Sequence, residues 1–300
     1  MWLVLSLIAL LMWSGSDLFS KLGCQNKSEK TAPLKMLIAI GLMMGLHAFY
    51  EIFIKGIAFS IEVIWIYFPV SILYIVSMAI GYFGLRYIEL SISSPICNTS
   101  GALVVLFYMI RGFMPDAIIL IGVFFTFIGI LGLGIAEYTE DEQARIKRQE
   151  AANIKYHKSI IAILLPILYS LIDALGTYAD SLVFKLTSLD EAQANIAYEL
   201  TFFIVGLIVF VYLLIHHKFK ITKTDRSKML ASVFETAGQF AYIYAIADNP
   251  ISAAPIISCY SVLTVIWSRI ILKEKLSWKH YVGIITAFIG IVILAVFDNE

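Results

Sequence analysis

The sequence predicts an all-α membrane protein in which ten transmembrane helices form two inverted five-helix repeats. Three observations indicate this fold class: an apolar composition, ten apolar runs of membrane-spanning length, and similarity between the two halves of the chain. Of the 300 residues, 60% are hydrophobic and 15% are charged, whereas soluble domains contain about 45–50% apolar and about 25% charged residues. The surplus of apolar residues must therefore face lipid.

The ten predicted helices are continuous apolar runs. A helix needs about 20 apolar residues to cross the hydrocarbon core of a bilayer. The runs that satisfy this length cover residues 2–22, 34–54, 63–84, 91–111, 116–136, 159–179, 193–215, 228–247, 251–271 and 278–297. The first run lacks a basic start and a small-residue cleavage pattern, so we interpret it as a retained helix rather than a signal peptide.

A charged linker divides the chain into two predicted units. Residues 137–158 form the longest polar stretch, in which acidic and basic side chains are mixed, and we expect this linker to be solvated. Residues 1–136 then form the first five-helix unit, and residues 159–300 form the second.

The placement of Lys and Arg residues predicts the topology. All but three of the 22 Lys and Arg residues lie in the odd-numbered connections between helices, and the exceptions are Lys55, Arg111 and Lys185. Cytoplasmic loops of membrane proteins carry an excess of Lys and Arg. We therefore expect a multi-pass protein of the cell membrane, with the odd-numbered connections in the cytoplasm and both termini outside.

Charge, cysteine content and motifs argue against several other classes of function. The net charge is +0, so no long-range field attracts nucleic acid. Cys24, Cys97 and Cys259 are scattered and form neither a disulfide framework nor a metal motif. No catalytic or nucleotide-binding motif stands out. We predict no enzymatic activity, no cofactor and no metal; the expected partners are a small-molecule metabolite and the lipid bilayer, and the expected state is a monomer or homodimer.

Recurring segments relate the two units. The sequence FIGI at residues 127–130 returns at residues 288–291, and Gly122 corresponds to Gly283 at the same spacing. Because five helices is an odd number, the second unit enters the membrane with the opposite orientation. Transporters use inverted repeats for alternating access around a site near the middle of the bilayer. The repeat therefore favours transport over a channel or an enzyme.

Acidic residues at membrane depth are the strongest candidates for function. Asp17 and Asp173 occupy corresponding positions in the first helix of each unit, and Glu199 and Glu235 also lie within predicted helices. Ionisable residues inside a membrane are costly and usually functional. Lys21 follows Asp17 by one helical turn and could instead form a structural pair with it.

We expect a central cavity between the two units, lined by polar and aromatic side chains. The predicted substrate- or proton-binding residues are Trp13, Asp17, Tyr82, Asn98, Tyr169, Asp173, Glu199, Glu235, Gln239 and Tyr242. For the hydroxyl-bearing residues, hydrogen bonding that only holds helices together is the competing interpretation. Pro95 and Pro255 occupy corresponding positions and are predicted hinges, because proline interrupts helical hydrogen bonds.

Three motifs resemble those of EamA-type transporters, which belong to the drug/metabolite transporter superfamily. The stretch WSGSDLFSK at residues 13–21 is similar to the W-G-S-x-F-x-x-x-K pattern of the family's first helix. AIGYFGLRY at residues 79–87, followed by SSPI at residues 93–96, is similar to the junction of its third and fourth helices. Residues 252–277, which end in LKEKLS, resemble the hinge before its last helix. The resemblance covers essentially the whole chain and implies two five-helix units that transport a small metabolite.

Two departures from the family pattern affect which chemistry the resemblance implies. In the first unit, residues 111–115 lack the acidic residue of the corresponding hinge. The related small multidrug proteins keep a glutamate in their first helix where this chain has Trp13 and Tyr169. Antiport centred on that glutamate therefore does not carry over unchanged, although Asp17 and Asp173, one turn further along, could substitute for it.

The predicted function is secondary transport of a small polar metabolite by alternating access through the central cavity. Burial disfavours an unpaired carboxylate, so several buried acids with few deep bases favour a cationic or amino-bearing substrate, or coupling to protons. The substitution Asp173→Asn is then expected to abolish pH-dependent transport. The alternative is a membrane-embedded sensing or auxiliary subunit without transport of its own.

Overall fold

The computed structural model describes nearly the whole chain. The described residues are 1–300 except 113, 151, 153–155, 157–158, 188, 249–256, 258 and 298–300. The predicted hinge Pro255 therefore lies outside the described residues.

The described part of the chain is all-helical, as the composition predicts. The helices are α1 (Trp2–Cys24), α2 (Ala32–Phe53), α3 (Ile61–Gly84), α4 (Leu90–Cys97), α5 (Ser100–Ile110), α6 (Ala117–Thr139), α7 (Glu142–Arg148), α8 (Ile160–Leu186), α9 (Glu191–Ile215), α10 (Asp225–Asp248), α11 (Tyr260–Ile270) and α12 (Trp278–Phe297).

Seven spans within the described residues are long and apolar enough to cross a membrane. They are α1, α2, α3, the combined α4 and α5, α6, α8 and α9. The other three predicted spans are not among these seven. Helix α10 carries Asp225 in its first turn and the acidic Glu235. Residues 251–256 and 258 of the predicted span 251–271 lie outside the described residues, and the last helix contributes the shorter apolar segment Trp278–Leu294. The protein is therefore a multi-pass helical membrane protein.

Local sequence signals explain where several helices begin and where one is interrupted. The Ser60 hydroxyl accepts a hydrogen bond from the backbone N–H of Glu62 at the start of α3. Asp141 caps α7 in the same way, because its carboxylate accepts from two backbone N–H groups of the first turn. The fourth apolar run is divided at Asn98 and Thr99, which lie between α4 and α5, shortly after Pro95.

The helices of the first half pack mainly against helices of the second half. Helix α1 packs along α10, α3 along α8, α2 along α9, and α6 along α12. Glycines permit two of these close approaches: a Cβ on Gly41 would lie 3.2 Å from the Cα of Gly206, and a Cβ on Gly129 would lie 2.6 Å from the Cα of Ala287. Helices without side chains at the crossing can bring their backbones together in lipid. Gly41 therefore serves the packing of α2 against α9 within the same chain.

Hydrogen bonds join several odd-numbered connections at one end of the bundle, which we call the closed end. It comprises the connections at residues 25–31, 85–89, 140–150, 216–224 and 271–277. For example, the Arg86 guanidinium donates to the backbone oxygen of Lys27, and the Arg148 guanidinium donates to that of Lys275. The opposite end is called the open end.

The linker differs from its predicted solvated state. Arg145, Gln149 and Tyr156 are only 1%, 2% and 4% exposed. Arg145 lies 2.6 Å from the Glu137 carboxylate, and the Gln149 side-chain oxygen accepts from the backbone N–H of Tyr156. The prediction of a solvated linker is therefore wrong for these three side chains, which partners on neighbouring segments draw inward, whereas residues 146–147 are exposed as expected.

Candidate functional site

A central cavity of about 560 Å³ lies between the two halves of the bundle. Its wall is formed by α1, α3, α4, α5, α8, α9, α10 and α11. Five carboxylates face it: Asp17, Asp173, Asp180, Glu191 and Glu235. Among the described residues that line the cavity, none is Lys, Arg or His. The cavity is therefore acidic, with no basic side chain in its described wall.

Nine of the ten side chains predicted for this cavity lie in its wall. They are Trp13, Asp17, Tyr82, Asn98, Tyr169, Asp173, Glu235, Gln239 and Tyr242. The structure brings these residues together from both halves of the chain, and their role in binding remains a prediction.

Asp17 is held by hydroxyl groups from two other helices. The Ser94 hydroxyl of α4 donates to its carboxylate at 2.5 Å, and the Thr264 hydroxyl of α11 donates at 3.2 Å. Lys21 does not pair with Asp17. Its ammonium donates instead to the backbone oxygens of Leu85, at 2.5 Å, and Ile88, so Asp17 has hydrogen bonds without an opposite charge.

Asp173 has the same kind of surroundings in the second half. The Ser77 hydroxyl of α3 donates to its carboxylate at 3.5 Å, and the Ser100 hydroxyl of α5 also forms a hydrogen bond with it. Nearer the open end, the Tyr67 hydroxyl donates to Asp180 at 2.7 Å. Both aspartates of the predicted pair are thus stabilised by neutral donors.

Glu235 and a group of aromatic rings complete the deep part of the cavity. The Ser16 hydroxyl forms a hydrogen bond with Glu235, and this carboxylate is close enough to Asp17 for the two charges to repel each other. The Trp13 ring lies 5.2 Å from that of Tyr242 and 5.8 Å from that of Tyr260, between centroids. Aromatic faces attract cations, so rings and carboxylates here favour the same charge.

Sequence reasoning missed several residues of the cavity wall. Tyr67 and Tyr74 of α3 line it together with Tyr82. Their spacings of seven and eight residues put all three on one helix face, and that spacing could have identified them. The contact between the Tyr74 and Tyr198 rings, whose centroids are 5.9 Å apart, had no such signal because it joins distant segments.

Glu199 is the predicted cavity residue that the structure places elsewhere. Its carboxylate lies 2.8 Å and 2.9 Å, through its two oxygens, from Nδ1 of His47 on α2. The side chain is buried between α2 and α9, because the imidazole offers it a partner there. Asn195, one turn earlier on α9, lines the cavity and forms a hydrogen bond with Glu199.

The cavity is buried at one extremity and exposed at the other. Near the closed end its wall includes Leu85 and Leu90, which are 7% and 1% exposed. Near the open end it includes Asp180, which is partly exposed, and Glu191, which is exposed at the start of α9. The cavity is therefore accessible from the open end.

A second acidic group, outside the cavity, has the spacing of a metal site. Glu137, Glu140 and His280 place their ligand atoms within 4.8 Å of one another. Arg145 lies 2.6 Å from Glu137, and Arg148 lies 2.7 Å from Glu140. Two guanidinium groups already balance these carboxylates, so the donor set does not favour a divalent cation.

These features define a class of protein: a multi-pass helical membrane protein with a central acidic cavity shared by two halves. Residues 160–296 match the model of the EamA-like transporter family. The match covers the second half of the chain, including the motif at residues 252–277, and it confirms there the resemblance to EamA-type transporters of the drug/metabolite transporter superfamily. Members of this family are membrane transporters of small molecules. No curated protein matches the chain.

A comparison with solved structures finds a protein of similar overall fold. One solved crystal structure, described only as that of a protein, is similar with a TM-score of 0.58 and 11% sequence identity. The match covers 97% of this chain and 95% of the other. At this identity the likeness concerns the fold alone.

Proposed function

We propose that this protein is a secondary transporter that carries a small organic cation through the central cavity by alternating access. One observation carries the proposal: five carboxylates face the cavity, and its described wall contains no basic side chain. An uncompensated carboxylate at membrane depth is unfavourable. A cationic or amino-bearing solute, or a proton, would compensate it.

The size and chemistry of the cavity support a small ligand. Ligand pockets commonly have volumes of about 300–1,000 Å³, and this cavity has about 560 Å³. Trp13, Tyr242 and Tyr260 surround the region beside Asp17 and Glu235. An ammonium group held there would meet aromatic faces and carboxylates together.

The packing of the helices supports ten helices in two inverted repeats, residues 1–136 and 159–300. If α1, α3 and α6 correspond to α8, α10 and α12, the contact of α1 with α10 corresponds to that of α3 with α8. Glycines of α6 and α12 obey the same relation, since Gly122 packs on Gly290 and Gly129 packs on Gly283. Exchanging the two halves converts one glycine contact into the other, as a twofold axis through the cavity would require.

The placement of basic residues supports an orientation for this state. The closed end holds most Lys and Arg residues of the connections, which favours a cytoplasmic position in the cell membrane. The open end would then face outward.

The break between α4 and α5 lies beside the cavity, where Asn98 lines the wall and the Thr99 hydroxyl lies 3.1 Å from that of Ser170. This break directly follows Pro95 and supports the proposal that Pro95 is a hinge.

The experiment is flux through the purified protein in liposomes. Uptake of labelled choline, guanidinium and diaminobutane is measured with and without a pH gradient, against protein-free liposomes. We expect transport of at least one cation, and its loss in Asp173→Asn, because the neutral amide no longer attracts the cation.

The matched control is Glu62→Gln, which removes an exposed carboxylate at the start of α3 that does not line the cavity. This variant should transport as the wild type does. Equal flux in Asp173→Asn would refute the assigned role of the cavity acids. Absence of flux for every cation in the wild type would favour the auxiliary or sensing subunit.

A further inference from the structure

A second buried polar system crosses from the cavity wall to the surface, and the proposed substrate site does not use it. It begins at Glu199, whose side chain is 1% exposed, next to His47, which is 16% exposed. The His47 ring continues to Glu51, with Nε2 3.4 Å from the carboxylate. Glu51 lies 2.8 Å from the Lys55 ammonium, which donates to the Tyr244 hydroxyl at 2.7 Å. These residues connect the interior to the open end.

Charge balance within this system identifies which group holds an exchangeable proton. Although partial burial opposes it, hydrogen bonds to Glu51 and Tyr244 raise the pKa of Lys55 above its ordinary value. Lys55 is therefore charged at neutral pH and balances Glu51. Glu199 then has only His47 as a partner of opposite charge. One proton must reside on this pair, either on the carboxyl group of Glu199 or on the imidazole of His47, because an uncompensated carboxylate buried at membrane depth is unfavourable.

The neighbours of the pair leave this balance unchanged. Helix α10 presents the rings of Phe240 and Tyr244 to this system; the Phe240 ring lies 5.3 Å from that of His47, between centroids. Helix α2 presents Tyr50, and the charged groups that act on His47 are Glu199, Glu51 and Lys55. Among the described residues of α1 and α3, no charged group contacts His47 or Glu199.

A hydrogen bond links this pair to the cavity. Asn195 bonds to Glu199, and its side-chain oxygen accepts from the Gln239 amide at 3.4 Å. Both Asn195 and Gln239 line the cavity. Nε2 of His47 is buried without a hydrogen-bond partner among the described groups. It faces Oε1 of Glu51 at 3.4 Å, and this oxygen also lies 2.8 Å from the Lys55 ammonium. A small approach would close the gap between His47 and Glu51 into a proton-transfer contact.

We propose that His47 and Glu199 form a proton-binding site, separate from the substrate cavity, that exchanges its proton with the open end through Glu51 and couples substrate movement to the proton gradient. The transfer is balanced: Glu51 receives a proton from solution, His47 takes it on Nε2 and releases the proton of Nδ1 to the Glu199 carboxylate. Loss of the proton leaves a buried charge between α2 and α9, which pack closely about two turns away, where Gly41 meets Gly206. Deprotonation therefore disfavours this arrangement of the two helices.

The inference rests on the proposed transport function, and its test separates the two. Proteoliposomes are loaded with the cation of the panel, choline, guanidinium or diaminobutane, that the wild type carries fastest. Accumulation driven by a pH gradient is compared with counterflow, the exchange of labelled for unlabelled cation without a gradient. Counterflow needs substrate binding and helix movement but no net movement of protons.

We expect Glu199→Gln and His47→Gln to lose gradient-driven accumulation and to keep counterflow. The control is His216→Gln, an exposed histidine at the end of α9, which should keep both activities. Gradient-driven accumulation in Glu199→Gln overturns the inference. Loss of counterflow in both variants also overturns it, because the pair would then only hold the helices together. A wild type that shows counterflow without response to pH refutes the proton site and leaves transport standing, whereas a wild type without flux refutes both.

Discussion

The central cavity and the closed end both bury carboxylates, but they surround them differently. At the closed end Glu89 lies 3.0 Å from Arg148, and Glu29 lies 2.7 Å from Lys35. In the cavity, Asp17 and Asp173 receive hydrogen bonds from neutral hydroxyl groups. Hydrogen bonds satisfy the oxygens, but they leave the negative charge uncompensated. Equal burial therefore has two outcomes: the acids of the closed end form ion pairs, and those of the cavity stay without an opposite charge, as the proposed cation site requires.

The largest effect is expected from breaking an ion pair at the closed end. Arg148 and Glu89 have side chains that are 7% and 2% exposed, and Arg148 also lies 2.7 Å from Glu140. Arg148→Met leaves these carboxylates without their partner, and breaking a buried pair costs about 3–5 kcal/mol. We expect the free energy of unfolding in detergent to fall by about this amount. The double variant Arg148→Met/Glu89→Gln should recover part of the loss; no recovery would show that the pair is not coupled.

A substitution that changes packing but not charge gives a reference for the loss of stability expected from Arg148→Met. Gly129→Ala places a Cβ within 2.6 Å of the Ala287 backbone, so α6 and α12 must separate. Overpacking of this kind costs about 1–3 kcal/mol, which unfolding in detergent would measure. The control on the same helix is Gly134→Ala, whose nearest neighbour is a side-chain atom at 3.9 Å; it should be neutral or stabilising. Equal effects of the two variants would contradict a tight crossing at Gly129.

Neutralising a cavity acid should raise the free energy of unfolding, whereas breaking an ion pair at the closed end lowers it. In Asp17→Asn the side-chain oxygen can still accept from Ser94 and Thr264, and no uncompensated charge remains. Functional sites are often destabilising for the fold, so we expect a small gain in thermal stability together with loss of transport. A destabilisation similar to that of Arg148→Met would mean that Asp17 is paired within the protein.

The smallest effect concerns pH and one carboxylate of the closed end. Although burial works against the charged form, hydrogen bonds from Lys35 and Thr224 and the charge of Lys228 hold the pKa of Glu29 below its ordinary value. A lowered pKa contributes stability above the unfolded value, about 4.3 for Glu, and that stability is lost as the pH falls through the folded value. Wild-type stability should therefore decline more steeply in this acid range than that of Glu29→Gln. Parallel pH profiles would contradict this assignment.

The sequence identified the acids of the cavity but not the partners of most buried charges. Asp17 and Asp173 could be predicted because an acid inside an apolar run is conspicuous. The partners of Lys21 could not, because it bonds to backbone oxygens of Leu85 and Ile88, and any residue supplies such an oxygen. Glu199 was assigned to the cavity by its depth alone, whereas its orientation depends on His47, which is distant in the chain.

Glu274 shows the same limit from another side. Its motif supported the family resemblance, but sequence spacing does not reveal what the carboxylate contacts. It accepts hydrogen bonds from the backbone N–H groups of Leu90 and Ser91 at 3.0 Å each. These groups begin α4 and have no partner within their own helix. A carboxylate of the second half therefore completes a helix of the first half, a contact that only the folded chain creates.

The buried side chains of the linker have a consequence for dividing or rebuilding this protein. Arg148 bonds to Glu89 of the first half and to the backbone of Lys275 in the second. The linker therefore holds the two halves together by side-chain contacts as well as by its covalent chain. Two separately expressed halves would have to carry residues 137–149 on one of them in order to reassociate. A flexible glycine and serine segment of equal length would preserve the covalent connection and remove the side-chain contacts of Arg148. Fusion partners and affinity sequences are better placed at the open end than in the middle of this chain.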